Sequence, residues 1–213
     1  MASFTEPTAM ELASLIVSKT CHDIISPVGA SSSAMEMWTD SKDESTREVA
    51  QTLMAKSSVQ AVNKLSFVRI AYGAYGDVGG DVDIGEAKDA AEPYINDDRT
   101  TLTWNLERLI VPKTVAKLAL GLVSLAKDAV PRGGEITIDG IDLTGKALFN
   151  VHASAKKVII PQGAEDALSG RFSEGVHARN VHLYHLIKMA QAVGVRIEPD
   201  MDEGSITFKT VAL

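Results

Sequence analysis

The sequence predicts an α+β protein: an N-terminal helical hairpin that forms a four-helix bundle by dimerisation, followed by an α/β sandwich. Three observations carry this. Apolar residues recur with helical period in two stretches between Thr8 and Tyr72, interrupted once by the polar run DSKDE at Asp40–Glu44. Four glycines crowd the nine residues Gly73–Asp81, which reads as a hinge between domains. Beyond it, short alternating apolar segments surround one long apolar helix. The expected division is a hairpin over 1–75 and a sandwich over 76–213.

The first helix is expected from Thr8 to about Trp38. At about 100° per residue, Ala9, Ala13, Ile16, Val17, Thr20, Ile24, Val28, Ala34, Met35 and Trp38 share one side. The opposite side holds Glu11, Ser18, His22, Ser26, Gly29, Ser33, Glu36 and Asp40, so His22 sits in the middle of the wet face.

After the polar turn, Ser45 is placed to cap a second helix, with Glu48 three residues further on. This helix should reach about Tyr72. Its stripe is Ala50, Met54, Ala61, Val62, Leu65, Val68 and Tyr72, and Leu53, Phe67 and Ile70 fall outside it. Two helices cannot cover that much apolar surface. A second copy of the hairpin would complete the core about a twofold axis.

The remainder reads as a helix (Ile84 to Tyr94), a strand (Thr100 to Trp104) and an apolar helix (about Val115 to Val130) ended by Pro131-Arg-Gly-Gly134. Glu135 to Ile138 and Ala147 to Val151 look like neighbouring strands. A last helix spans about Asn180 to Val193, with further strands at Val195 to Ile197 and Ile206 to Val211. Helices packed on one mixed sheet are the expected result.

Composition narrows the function. The net charge is −7 with scattered Lys and Arg, which lacks the footprint of a nucleic-acid binder. No run nears the roughly 18 apolar residues of a membrane span, and the start lacks the order of a signal peptide. A cytoplasmic address follows by default. The single cysteine, Cys21, excludes a disulfide framework and a thiolate metal site.

The hexad His22-Asp23-Ile24-Ile25-Ser26-Pro27 carries the chemistry. Pro27, inside a strong helical pattern, removes one backbone hydrogen bond and clashes with the carbonyl of Asp23, so a kink is expected one turn beyond the histidine. Such a break costs ~3 kcal/mol within a helix, and something other than helix stability must favour it. A lone surface histidine is ordinarily just solvated; the spacing to Asp23 and Pro27 on the wet face of a dimerising hairpin reverses that reading. Ser18, Ser26, Gly29 and Ser33 leave room for another helix to approach. Ile25, an exposed apolar residue beside His22, reads as a docking anchor, against ordinary scattered apolar surface.

The hexad resembles the phospho-acceptor box of sensor histidine kinases: a histidine, an acid, an apolar region, a small hydroxyl residue and proline. A neutral imidazole nitrogen is a good nucleophile near pH 7, and the phosphoramidate it forms can be attacked in turn by a carboxylate. His22 is then a relay between aspartates. Asp23 is the candidate to accept the other ring N–H and fix the tautomer, which adjacent helical residues allow only in a particular rotamer.

The resemblance continues beyond the hairpin. Leu118 to Ile138 looks like the asparagine-bearing helix of the kinase ATP-binding domain with its Pro-x-Gly-Gly turn and strand, and Gly194 to Phe208 resembles that domain's last two strands. Aligning Pro131 and Gly133, however, puts Gly121 and Leu125 where the asparagines belong. His152-Ala-Ser-Ala-Lys156 stands in place of the Asp-x-Gly-x-Gly segment, and Gly175-Val-His-Ala-Arg-Asn180 keeps only the first glycine of the lid. Without those glycines the backbone cannot cradle phosphates. This combination is similar to the ChpT-type histidine phosphotransferases of alphaproteobacterial cell-cycle phosphorelays.

That resemblance implies a homodimeric phosphotransferase without autokinase activity. Its donor is the receiver domain of a hybrid kinase of the CckA type, and its acceptors are response regulators of the CtrA and CpdR type. It implies no cofactor on this chain, with Mg2+ on the partner receiver. The monomeric phosphotransfer domains do not match, because they carry lysine and glycine where Ile25 and Ser26 stand.

Two alternatives are an ATP-using histidine kinase with a divergent site, which nucleotide binding or autophosphorylation would reveal, and a non-catalytic adaptor, whose receiver binding would survive His22→Ala. His177, His182 and His185 could in principle share a metal, but no acid or cysteine at ligand spacing completes the set, and a polar helix face is preferred. Cys21 is expected on the flank toward the core, and Lys156, Lys157 and Arg179 as solvated charge.

Overall fold

A computed structural model describes residues 4–73, 79–143 and 145–213. Helix α1 spans Ala9–Asp40 and α2 spans Glu44–Ala71, packed side by side. At the start of α1 the Thr8 hydroxyl accepts from the Glu11 amide, and the Glu11 carboxylate accepts from the Thr8 amide at 2.8 Å. This reciprocal box satisfies two donors that the first turn would otherwise leave open. The cap of α2 is Asp43 and not Ser45: its carboxylate accepts from the Thr46 amide at 2.9 Å, while the Ser45 hydroxyl merely adds a bond to it. An aspartate at this point reaches the free N–H groups and also carries the charge that a helix N-terminus favours.

The face of α1 that packs within the chain is rotated from the expected one. It runs through Leu12, Ile16, Asp23, Pro27, Ala34 and Trp38, with Pro27 and Ala34 fully covered. Ala9, Ala13, Val17, Val28 and Met35 are instead exposed in the single chain. The apolar arc of this helix is wide enough for two contacts, and periodicity averages them into one stripe. Likewise in α2, Ala50 and Ala61 are buried whereas Val62 and Leu65 are exposed.

The second part continues with β1 (Asp81–Asp83), α3 (Ile84–Ile95), β2 (Thr100–Trp104), β3 (Ile110–Pro112), α4 (Lys113–Ala129), β4 (Gly134–Asp142), β5 (Leu148–Ser154), α5 (Ala164–Leu168), α6 (Val181–Ala192), β6 (Val195–Asp202) and β7 (Ser205–Ala212). Five strands form one sheet in the order β2-β4-β5-β7-β6, parallel only between β2 and β4. Its inner face (Leu102, Ile136, Ile138, Phe149, Val151, Ile206, Phe208) is buried under the helices. Alternate residues on the other face meet water, the usual arrangement of a largely antiparallel sheet in a two-layer sandwich. The turn between α4 and β4 requires glycine. Gly133 has φ +93°, and a Cβ there would stand 2.4 Å from the Arg99 carbonyl oxygen.

The small antiparallel ribbon of β1 and β3, and the short helix α5, have no counterpart in the sequence reading. The expected hinge Gly73–Asp81 lies largely on residues 74–78, outside the described ones. Around it the two parts share one core. Phe67 stacks on Tyr94 of α3 with ring centroids 4.1 Å apart, and Ile70 and Ala71 belong to the same buried cluster. Ahead of α1, Phe4 stacks on Phe172, and Lys188 of α6 holds Glu6 at 2.7 Å. Among the described residues no helix is long and apolar enough to cross a membrane.

Candidate functional site

His22 projects from the middle of α1 with its side chain 91% exposed. On the same arc of the helix, Ser18, Ile25, Ser26, Gly29 and Ser33 are all exposed. Ile25 keeps 69% of its surface in water, and a Cβ at Gly29 would meet nothing within 4 Å. The histidine is thus surrounded by open, mostly small residues with one large apolar side chain in their midst. Such a surface admits a partner without first having to be vacated.

Asp23 points to the flank of this arc and is half-buried. Its Oδ1 lies 3.6 Å from His22 Nδ1, beyond hydrogen-bond range but directed at that nitrogen. Its Oδ2 accepts from the Lys19 ammonium at 2.6 Å, and its backbone carbonyl accepts from the Lys64 ammonium of α2 at 3.1 Å. The helix then passes through the buried Pro27. Proline at this point removes the donor that the Asp23 carbonyl would have had, and Lys64 takes up that acceptor.

Neither lysine was among the candidate residues. Lys19 could have been found, because lysine four residues before an aspartate on a helix is an ion-pair spacing. Lys64 lies 41 residues from Asp23, and no local signal marks it.

Behind the hairpin, the positions that bear asparagine in histidine kinases carry no ligand atoms. Gly121 is where α4 and α6 touch: a Cβ there would come within 2.7 Å of Leu186 Cδ1. Leu125 is buried in the same core. At the next motif β5 simply continues, with His152 Nδ1 paired to Thr207 Oγ1 at 3.0 Å across to β7. Where a glycine lid would stand, Asn180 ties a short turn together. Its Oδ1 accepts from the His177 amide at 2.8 Å and its Nδ2 donates to the Gly175 carbonyl at 3.0 Å.

Two secondary expectations need correction. His182 and His185 do not form a polar helix face: they turn inward, His182 to within 3.9 Å of Asp128 and His185 edge-on to Tyr72. Burial is the main cause that pushes both imidazoles down to about 4 and holds them neutral. The hairpin covers α6 there, which the sequence of α6 alone does not reveal. Cys21 is exposed rather than directed to the core, since it belongs to the second apolar arc with Val17 and Val28. Among the described residues no group of three His, Cys, Asp or Glu is arranged to hold a metal ion.

An exposed histidine on a proline-bearing hairpin, joined to a two-layer α/β domain, defines a histidine phosphotransferase. The family model of the histidine phosphotransferase C-terminal domain matches residues 84–205, and the chain belongs to that family. It is 30% identical over 204 residues to the protein phosphotransferase ChpT of Brucella abortus (strain 2308), covering 94% of this chain and 95% of that one. A solved bacterial phosphotransferase superposes with a TM-score of 0.87 and 29% identity, over 98% of this chain and 100% of the other. A histidine kinase domain from Erythrobacter litoralis aligns with a TM-score of 0.48 and 12% identity, over 86% of this chain and 94% of that one.

Proposed function

We propose that His22 is the phospho-acceptor of a cytoplasmic phosphorelay, taking a phosphoryl group from one receiver aspartate and giving it to another. The observation that carries this reading is the pairing of an almost fully exposed imidazole with an acid already directed at its Nδ1. With the proton held on Nδ1, Nε2 offers its lone pair to the phosphorus of an aspartyl phosphate. The N–P bond forms as the P–O bond to the aspartate breaks, and the electron pair leaves with the carboxylate. Nδ1 then carries the imidazolium proton, whose charge Asp23 stabilises. Transfer onward is the same step in reverse with a second aspartate. Phosphoryl transfer needs mainly alignment and charge neutralisation, the latter from Mg2+ on the partner receiver.

Ser18, Ile25, Ser26, Gly29 and Ser33 form the receiver-docking surface in this reading. The donor is the receiver domain of a CckA-type hybrid kinase, and the acceptors are CtrA-type and CpdR-type response regulators. The unit is a homodimer. Met10, Val17, Val28 and Met35 line one edge of α1, each seven or eleven residues after the one before, and stay exposed in the single chain. A second hairpin laid against this edge would bury it in the manner of a four-helix bundle.

The test is incubation of the dimer with a phosphorylated receiver, followed by phosphohistidine mapping. One acid-labile, base-stable site is expected, at His22. Phosphate recovered on His22→Ala protein from the same donor would defeat the assignment.

A further inference from the structure

Pro27 leaves one carbonyl of α1 without its helical donor. In an unbroken helix the N–H of residue 27 would donate to the carbonyl oxygen of Asp23, and proline has no such hydrogen. An unpartnered carbonyl next to the reacting histidine would let the backbone there tilt toward water. Instead Lys64 reaches across from α2 and donates to it at 3.1 Å. Lys19 holds Oδ2 of the same residue at 2.6 Å, which leaves Oδ1 as the oxygen that faces His22 Nδ1. Asp23 is therefore gripped at its backbone from α2 and at its side chain from α1.

We infer that Lys64 is a positioning residue for the phosphotransfer histidine, standing in for the amide that Pro27 removes and fixing Asp23 so that its carboxylate addresses Nδ1 of His22. The inference rests on His22 being the phospho-acceptor. Lysine suits the position because its long stem spans the gap between two helices and its ammonium offers three donors. A grip from α2 also ties the site to the packing of the hairpin itself, so anything that shifts α2 along α1 disturbs the tautomer of His22. The reacting nitrogen is Nε2 only while the proton is kept on Nδ1.

Two measurements on the intact two-part chain test this: the neutral-imidazole tautomer of His22 by 15N NMR, and the rate of single-turnover transfer from a phosphorylated receiver. Lys64→Met keeps the stem and loses the donor. It should shift His22 from predominantly Nδ1–H toward the mixture of a free imidazole and slow transfer about tenfold, as small misalignments of a reacting group do. Lys64→Arg should restore most of both. The sharper arm uses Pro27→Ala, which returns an N–H to residue 27. In that background Lys64→Met should change the tautomer and the rate by less than about twofold, because the carbonyl has regained its own donor and the two effects are coupled.

Equal losses in both backgrounds, with helicity by circular dichroism unchanged, would show that Lys64 acts otherwise and overturn the inference. So would a wild-type tautomer and rate in Lys64→Met alone. If the single variant fails to fold, the Pro27→Ala protein with and without Lys64→Met decides alone, and a large loss on adding the second substitution overturns the inference. These outcomes leave the acceptor assignment standing. Phosphate on His22→Ala would overturn both.

Discussion

Helix α1 and helix α4 are both rich in apolar residues, yet they bury them differently. In α1 only Pro27 and Ala34 are fully covered within the chain, out of 32 residues. In α4 ten of 17 are, among them Leu118, Leu120, Leu122 and Leu125. The α/β layer closes its core upon itself. The hairpin leaves Met10, Val17, Val28 and Met35 of α1 and Val49, Val59, Val62 and Leu65 of α2 in water. Exposed apolar surface on that scale marks contacts still to be made. The comparison teaches that the hairpin carries most of the chain's exposed large apolar residues, and that the second layer, whose core closes on itself, supplies the stability on which the hairpin rests.

The strongest way to break this contrast is a cavity in the second layer. Phe149 is fully buried in the inner face of the sheet, and Phe149→Ala should cost ~3–5 kcal/mol in chemical denaturation. A loss no larger than that of an exposed hairpin residue would show that the layer is not the stabilising part.

A second arm uses pH. His182 and His185 are held neutral, at about 4, while unfolded imidazoles titrate near ~6.5. The unfolded chain therefore binds more protons between those values, so stability is retained above about pH 6.5 and lost as pH falls toward about 4. The loss should reach on the order of 2–3 kcal/mol per histidine at the lower end. Unfolding at pH 7 and pH 5 should show it, with a smaller difference in His182→Gln. An unchanged slope in that variant would place the acid sensitivity elsewhere.

The third concerns docking. Ile25→Glu and Gly29→Arg alter the open arc around His22, where losing an anchor of a transient interface costs on the order of 2 kcal/mol. Neither side chain faces the packed side of α1, so helicity and dimerisation should stay near wild type while transfer from a phosphorylated receiver slows at least ~tenfold. Normal rates in both variants would show that receivers dock elsewhere.

The smallest effect on the chain's own stability belongs to Val62, 60% exposed. Val62→Asp should shift the unfolding of the isolated chain by no more than about 0.5 kcal/mol, as surface changes usually do. In light scattering it should nonetheless weaken the proposed dimer, which in wild type is expected to give the mass of two chains at micromolar concentration. A wild-type mass equal to one chain under those conditions would remove the bundle from the proposal.

Much of this could be read from the residues. The alternation Glu135-Ile-Thr-Ile138, the apolar run through α4 and the Pro131-Arg-Gly-Gly134 turn each state a local preference that the fold keeps. The hexad at His22 likewise announces itself, because an acid beside a histidine and a proline inside a helix are visible without any partner. Short elements were not legible: β1 and β3 are three residues each, and no period can be recognised in so few.

What the sequence determined by itself, then, is local: where helices and strands run, and that His22, Asp23 and Pro27 stand together on one of them. Tertiary structure alone decided which of two apolar arcs on α1 is covered by this chain, why Phe67 and Ile70 lie outside the stripe of α2, and which residue answers the carbonyl that Pro27 left open. Phe67 faces Tyr94 and Lys64 faces Asp23, the latter contact made across 41 residues of chain. Periodicity ranks the faces of one helix, whereas a partner far along the chain is chosen by how the helices pack, and packing has no signature within a single turn.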